Sequence, residues 1–122
     1  MTPIILVDDQ PIANFITKKI LENAGYIENI KDFTDGTIAL EEVKRLSNSI
    51  ILLDLNMPKM SGWEFMDAMQ NLGLNNKIII LSSSTSEIDI AKAKEYSFVM
   101  DYVVKPLNKS KFLKIAPFLK MD

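Results

Sequence analysis

The chain has 122 residues, 48% of them hydrophobic, with 14 Lys and Arg against 16 Asp and Glu and a formal charge of −2, which suits one compact domain and argues against nonspecific nucleic-acid binding. It contains no Cys and no His, so disulfides, thiol chemistry, Cys/His zinc sites and every mechanism that needs an imidazole are excluded. No apolar run approaches the roughly 18 residues of a membrane span and no basic segment precedes the short apolar run at the N-terminus, so a soluble cytoplasmic protein is expected.

In chain order, the apolar run Ile4 to Val7 reads as a strand and is followed at once by Asp8 and Asp9. Ile12, Phe15, Ile16 and Ile20 then recur at steps of three and four, predicting a helix with that face apolar. A weaker strand signal spans Ile30 to Phe33. Gly36 to Leu46 reads as a helix through Ile38, Ala39 and Val43. The run Ile50 to Leu53 is the third strand, and a carboxylate, Asp54, stands where it stops. Trp63 to Met69 reads as a short helix through Phe65, Met66 and Met69. Ile78 to Leu81 is the fourth strand, followed by Ser82. Glu87 to Tyr96 is a weaker helix resting on Ile90, Ala91 and Ala93. Tyr102 to Val104 is the fifth strand, followed by Lys105. Lys109 to Leu119 closes the chain as a helix through Phe112, Leu113 and Ala116, with Pro117 expected to disturb its last turn.

Unalternating apolar runs fit strands buried on both faces, and five repeats of strand then helix imply right-handed crossovers. The fold class is therefore α/β, a doubly wound parallel sheet with helices on both faces. In such sheets ligands bind at the carboxyl ends of the strands, where the strand order reverses. Asp8, Asp9, Asp54, Ser82 and Lys105 all follow strands and converge on that edge. Taken singly, an Asp after a strand is a common loop or capping residue, Ser82 an ordinary turn residue and Lys105 a solvated lysine. Their conjunction points to chemistry. Three gathered carboxylates repel, and a hard divalent cation offsets that; Mg2+ suits one or two carboxylates with room for a phosphate oxygen. A carboxylate held beside Mg2+ and a lysine can attack phosphorus and form an aspartyl phosphate, with the metal, the ammonium and a hydroxyl placed around the peripheral oxygens.

The stretches "ILVDDQP", "ILLDLNMPKMSGWEF", "IIILSSS" and "DYVVKP" together resemble the acidic pair, phosphoacceptor loop, hydroxyl strand and lysine motif of the receiver domain of two-component response regulators, the CheY-like family. The resemblance covers essentially the whole chain. It implies a flavodoxin-like (βα)5 fold with strand order 2-1-3-4-5. It also implies Asp54 as phosphoacceptor, Asp9 as direct metal ligand, Asp8 as ligand through water and the backbone carbonyl of Asn56 as a further contact to Mg2+. Ser82 and Lys105 match the groups that bind the phosphoryl oxygens, Tyr102 the aromatic switch, and Lys105–Pro106 a cis peptide. Implied partners are a histidine kinase or histidine phosphotransfer protein as donor and a downstream target protein, with the chain a monomer or weak dimer and no direct contact to nucleic acid or membrane.

Some positions depart from the family pattern. Ser stands at 82 where Thr is more usual, one extra residue precedes Lys105, and "EYSFVMDY" lacks the small-residue turn before the fifth strand, so the fourth helix is expected to be shifted or loose. Together with Pro117 these departures fall on the face through which receivers commonly pair. Asn56 and Ser84 match two variable positions that tune phosphate lifetime. The start at Met1 and the close at Lys120, Met121 and Asp122 favour a stand-alone receiver, residues 1–122, with no output domain. Two alternatives fit the same residues less well. An aspartate-nucleophile phosphatase of the haloacid dehalogenase type needs a second acid where "DLN" has Asn, and a phosphorylation-independent interaction module of the same fold has no use for the acidic pair and Lys105.

Overall fold

The computed structural model describes residues 2–26 and 28–119; Met1 and Lys120 to Asp122, on which the stand-alone reading rests, lie outside the described residues. Strands and helices alternate without exception as β1 (Ile4–Val7), α1 (Pro11–Asn23), β2 (Ile30–Phe33), α2 (Gly36–Arg45), β3 (Ile50–Leu53), α3 (Gly62–Asn71), β4 (Lys77–Ser82), α4 (Glu87–Ala93), β5 (Val99–Val104) and α5 (Lys109–Leu119). The strands form one parallel sheet in the order β2-β1-β3-β4-β5, as expected.

Successive side chains of a strand point to opposite faces, and here both faces are covered. Ile5, Val7, Ile51, Leu53, Ile78 and Ile80 pack under α2 and α3, with Ala39, Val43, Phe65, Met66 and Met69. Ile4, Leu6, Ile50, Leu52, Ile79 and Leu81 pack on the other face, with Leu21 of α1 and Phe112, Ile115 and Leu119 of α5. That two-sided burial is why the central strands read as continuous apolar runs instead of alternating ones.

Helix α1 starts with Pro11 in its first turn, where a missing N–H removes nothing from the helix. Its end is a Schellman closure: Tyr26 N–H donates to the Leu21 carbonyl at 2.9 Å and Gly25 N–H to that of Glu22 at 3.0 Å, with Gly25 at φ +98°, a conformation that suits glycine. At α3, Ser61 and Glu64 form a reciprocal capping box, which fixes where the helix begins.

Several expectations are corrected. Most of the predicted apolar face of α1 points outward: Ile12, Phe15 and Ile16 are 63%, 56% and 43% exposed and only Ile20 packs, half-buried, against the core, while Asn14, Thr17 and Leu21 are buried. Both sets of residues have helical spacing. What decides between them is that the strand ends beneath α1 need donors, as shown below. Ile38 and Leu113 are likewise exposed, beside the buried pairs Ala39 with Val43 and Phe112 with Ile115. Helix α4 stops at Ala93, its single buried residue, with Ala91 exposed. Tyr96 lies beyond it, stacked on Phe98 at 5.8 Å between ring centroids. Strand β5 begins at Val99, three residues before Tyr102, because an irregularity between Ile78 and Ile79 lets Ile78 pair with Val99 and Ile79 with Asp101. Helix α5 continues through Pro117 to Leu119. The buried residues Phe112, Ile115 and Leu119 hold the last turn to the sheet, which offsets the hydrogen bond that a proline removes.

Candidate functional site

All five strand-end residues lie at the carboxyl edge, and β1 and β3 are neighbours there because the chain winds away from β1 in both directions, the reversal at which sheets of this class bind ligands. Asp8 and Asp9 follow β1, Asp54 follows β3, Lys105 follows β5, and Ser82 is the last residue of β4 instead of the first after it. Main-chain bonds fix this edge. Asp54 N–H donates to the Val7 carbonyl at 2.9 Å, Asp8 N–H to that of Phe33 at 3.1 Å, and Lys105 N–H to that of Ser82 at 2.8 Å.

Asn14 explains the buried polar face of α1. Its side-chain amide donates to the carbonyls of Asp8 and Phe33, both at 3.1 Å, satisfying acceptors where β1 and β2 end and no strand continues. A leucine there would leave both carbonyls without this donor. Beneath Asp54 the α3 helix comes so close that a Cβ on Gly62 would lie 2.4 Å from the Asp54 carbonyl oxygen and 2.7 Å from Leu55 Cα. Only glycine admits that approach, and Gly62 N–H uses it to donate to the Leu55 carbonyl at 2.9 Å.

The carboxylates are brought together. One oxygen from each of Asp8, Asp9 and Asp54 lies within 4.8 Å of the others, and Asp8 and Asp54 are buried while Asp9 is half-buried. The Lys105 ammonium is paired directly with Asp8 and stands 3.4 Å from Asp54 Oδ1. Asp8 also accepts from Gln10 N–H at 3.0 Å. Like charges at about 5 Å repel by on the order of 3 kcal/mol at an effective dielectric of about 20, and the one ammonium paired here, that of Lys105, serves two of the three acids. Burial accordingly holds the Asp54 carboxyl above its usual range; Lys105 and the Asn56 backbone N–H act against the rise, and the Asp8 charge adds to it. Hard oxygen donors in surplus over cationic charge fit a hard divalent metal ion, and this cluster could hold one.

Ser82 is fully buried, and its hydroxyl accepts from Ser84 N–H at 3.1 Å. The Tyr102 hydroxyl donates to the Ser84 carbonyl at 3.0 Å, and Ser84 Oγ donates to Asp89 at 2.7 Å. Ser84 thus joins Ser82, Tyr102 and the first turn of α4, a link with no local signal in the polar run. The Lys105–Pro106 peptide is cis. Asn56 is exposed beside Asp54. Three functional features escaped the sequence reading: Asn14 as a donor to two strand ends, Ser84 as a hydrogen-bond hub, and Lys111, whose ammonium reaches back to the carbonyls around Lys105.

Residues 4–116 match the response regulator receiver domain. The nitrate/nitrite response regulator protein NarL of Escherichia coli K12 is 31% identical over 111 residues, covering 91% of this chain and 51% of that protein. The chemotaxis protein CheY of Thermotoga maritima is 29% identical over 111 residues, covering 91% of each chain. Among solved structures, a two-component response regulator from Cytophaga hutchinsonii superposes with a TM-score of 0.84 at 30% identity, covering 98% of this chain and 96% of the other. The chain belongs to the receiver domain family of two-component response regulators. It spans about half the length of the NarL relative it matches. Among the described residues no helix is long and apolar enough to cross a membrane.

Proposed function

We propose that Asp54 accepts a phosphoryl group from a histidine kinase or histidine phosphotransfer protein, with Mg2+ as cofactor, and that the change it sets off alters a surface read by a downstream target protein in the cytoplasm. The observation that supports this best is the gathering of three carboxylate oxygens within 4.8 Å around Asp54 with the Lys105 ammonium 3.4 Å away. Asp8, Asp9, Asp54 and the Asn56 carbonyl would hold the metal, with Asp8 acting through water. When bound, Mg2+ supplies the positive charge that three acids and a phosphoryl group lack in this pocket.

The chain's own groups do the rest. In its ionised form Asp54 needs no general base. One carboxylate oxygen forms a bond to phosphorus as the bond to the donor nitrogen, or to the acyl oxygen of a small donor such as acetyl phosphate, breaks and the leaving group departs with its electron pair. Lys105 and the Ser82 hydroxyl bind peripheral phosphoryl oxygens. The Ser82 hydroxyl has its O–H to donate while it accepts from Ser84 N–H, so a shift of Ser82 toward the phosphoryl group would carry Ser84 with it and move the carbonyl to which Tyr102 is bonded, releasing Tyr102 as the switch. Charge-assisted hydrogen bonds contribute about 1.5 to 3 kcal/mol each, and about 5.5 kcal/mol shifts a two-state element from 1:99 to 99:1, so two or three new contacts are sufficient. The exposed Ile12 and Ile16, which line a groove with Lys105, Pro106 and Leu107, offer the donor protein an apolar footing beside Asp54.

The test is Mg2+-dependent labelling by acetyl phosphate, followed by intact mass. The wild type should gain one hydroxylamine-sensitive phosphoryl group and Asp54→Asn none. Equal labelling of the two would remove Asp54 from the role, and labelling of neither would leave a domain that works by its surface alone.

A further inference from the structure

We propose that Lys111 is a positioning residue for Lys105, a proposal that rests on the reading of Lys105 as a phosphoryl-binding group. The first turn of α5 carries Lys109 and Lys111 and no acid, against the preference of the positive helix N-terminus for negative side chains. Lys111 escapes that conflict. Its backbone N–H is capped by Asn108 Oδ1 at 2.8 Å, while its ammonium turns back out of the helix and donates to the Val104 carbonyl at 2.6 Å and the Pro106 carbonyl at 3.4 Å.

Those two carbonyls lie on either side of Lys105. The main chain around Lys105 is therefore held at several points: its N–H is tied to Ser82 of β4 at 2.8 Å, and Lys111 draws toward α5 the peptide group just before it, through the Val104 carbonyl, and the one after Pro106, through the Pro106 carbonyl. Among the described residues β5 is an edge strand with no sheet partner beyond it, so α5 supplies the second hold. A lysine ammonium sits on a flexible four-carbon stem, and its position between Asp8 and Asp54 depends on how firmly the base of that stem is held. Neither carboxylate touches Lys111, so it acts through Lys105 and not on the phosphoryl group. A charged donor on two carbonyls is also a stronger tie than a neutral side chain could make.

The test uses the whole chain with Lys111→Met, Lys111→Gln and Lys111→Arg, and with Lys109→Met as a control that removes a first-turn charge without touching those carbonyls. The first readout is acetylation of Lys105 by an amine-reactive reagent in metal-free protein, followed by mass spectrometry. Lys105 should react several-fold faster in Lys111→Met and Lys111→Gln than in the wild type, and at the wild-type rate in Lys111→Arg and Lys109→Met, with the thermal midpoint of each variant recording that it is folded. This readout does not depend on phosphorylation, so it stands even if Asp54 proves not to be labelled. The second readout is labelling by acetyl phosphate, expected to slow by about tenfold in Lys111→Met, since small misplacements of a binding group lower rates by such factors. The loss should vanish in a Lys105→Ala background, as coupling between the two lysines requires. Unchanged Lys105 reactivity in a folded Lys111→Met, an equal effect of Lys109→Met, or an undiminished loss in the Lys105→Ala background would each overturn the proposal.

Discussion

Two charged clusters in this molecule use the same chemistry in opposite proportions. On the outer face of α2 and β2, Glu42 is served by two cations: Lys31 pairs with it directly, and Arg45 clasps it at 2.8 and 3.0 Å. Its carboxyl is pushed down to about 2 by those hydrogen bonds. At the sheet edge the ratio is reversed, with Asp8 and Asp54 sharing the one ammonium of Lys105, and the Asp54 carboxyl is held above its usual range. Exposure separates them further on the cationic side, since the side chains of Lys31 and Arg45 are 47% and 65% exposed against 20% for Lys105, while the acids differ less, with Glu42 at 14% and Asp8 and Asp54 at 8% and 7%. A solvated ion pair is screened and contributes little; a buried surplus of negative charge has no such outlet. The first cluster is satisfied, and the second could hold a cation.

The contrast breaks most sharply at Lys105. Lys105→Ala leaves two buried carboxylates without their shared cation and should lower stability by on the order of 2 kcal/mol at neutral pH in EDTA, measured by denaturant unfolding. Asp54→Asn should move the other way under the same conditions, by on the order of 1 kcal/mol or about 4 °C in the thermal midpoint for a domain this size, because it removes one member of the repelling group. The sign follows from the direction of the shift. The folded protein binds the Asp54 proton more tightly than the unfolded chain, so the stability linked to that proton is complete below the ordinary value of 3.8 and is lost as pH rises through the elevated one. The gap between Asp54→Asn and wild type should therefore be widest at neutral pH and close on acidification. Glu42→Gln sharpens the comparison with the smallest effect. Glu42 stabilises above its ordinary 4.5 and stops doing so as pH falls through about 2, so this variant should be slightly less stable than wild type at neutral pH, by an amount that moderate salt reduces.

The architecture was legible because its signals are local. Runs such as Ile50 to Leu53 are apolar throughout, and the acids that follow them interrupt an otherwise buried pattern. The outward face of α1 was not legible. Ile12, Phe15 and Ile16 satisfy the helical period as well as Asn14, Thr17 and Leu21 do, and Asn14 turns inward to the Asp8 and Phe33 carbonyls, which the pairing of β1 with β2 brings together and periodicity does not reveal. Similarly, β5 starts at Val99 because of a register irregularity against β4, a property of two strands together. Lys111 left one faint trace, a cation in the first turn of a helix, where the helix end disfavours it. Ser84 stands out only through the family resemblance, and nothing local in its polar run marks the four hydrogen bonds it makes.

The claim beneath all of this is that the sheet edge holds more negative charge than it can balance until a divalent cation arrives. Thermal unfolding of metal-free protein titrated with MgCl2 at constant ionic strength addresses it directly. The wild-type midpoint should rise with Mg2+ as mass action requires, and Asp54→Asn, lacking one of the three clustered acidic charges, should need more Mg2+ for the same rise. A wild-type midpoint that does not respond to millimolar Mg2+, or that responds no more than Asp54→Asn, would contradict it.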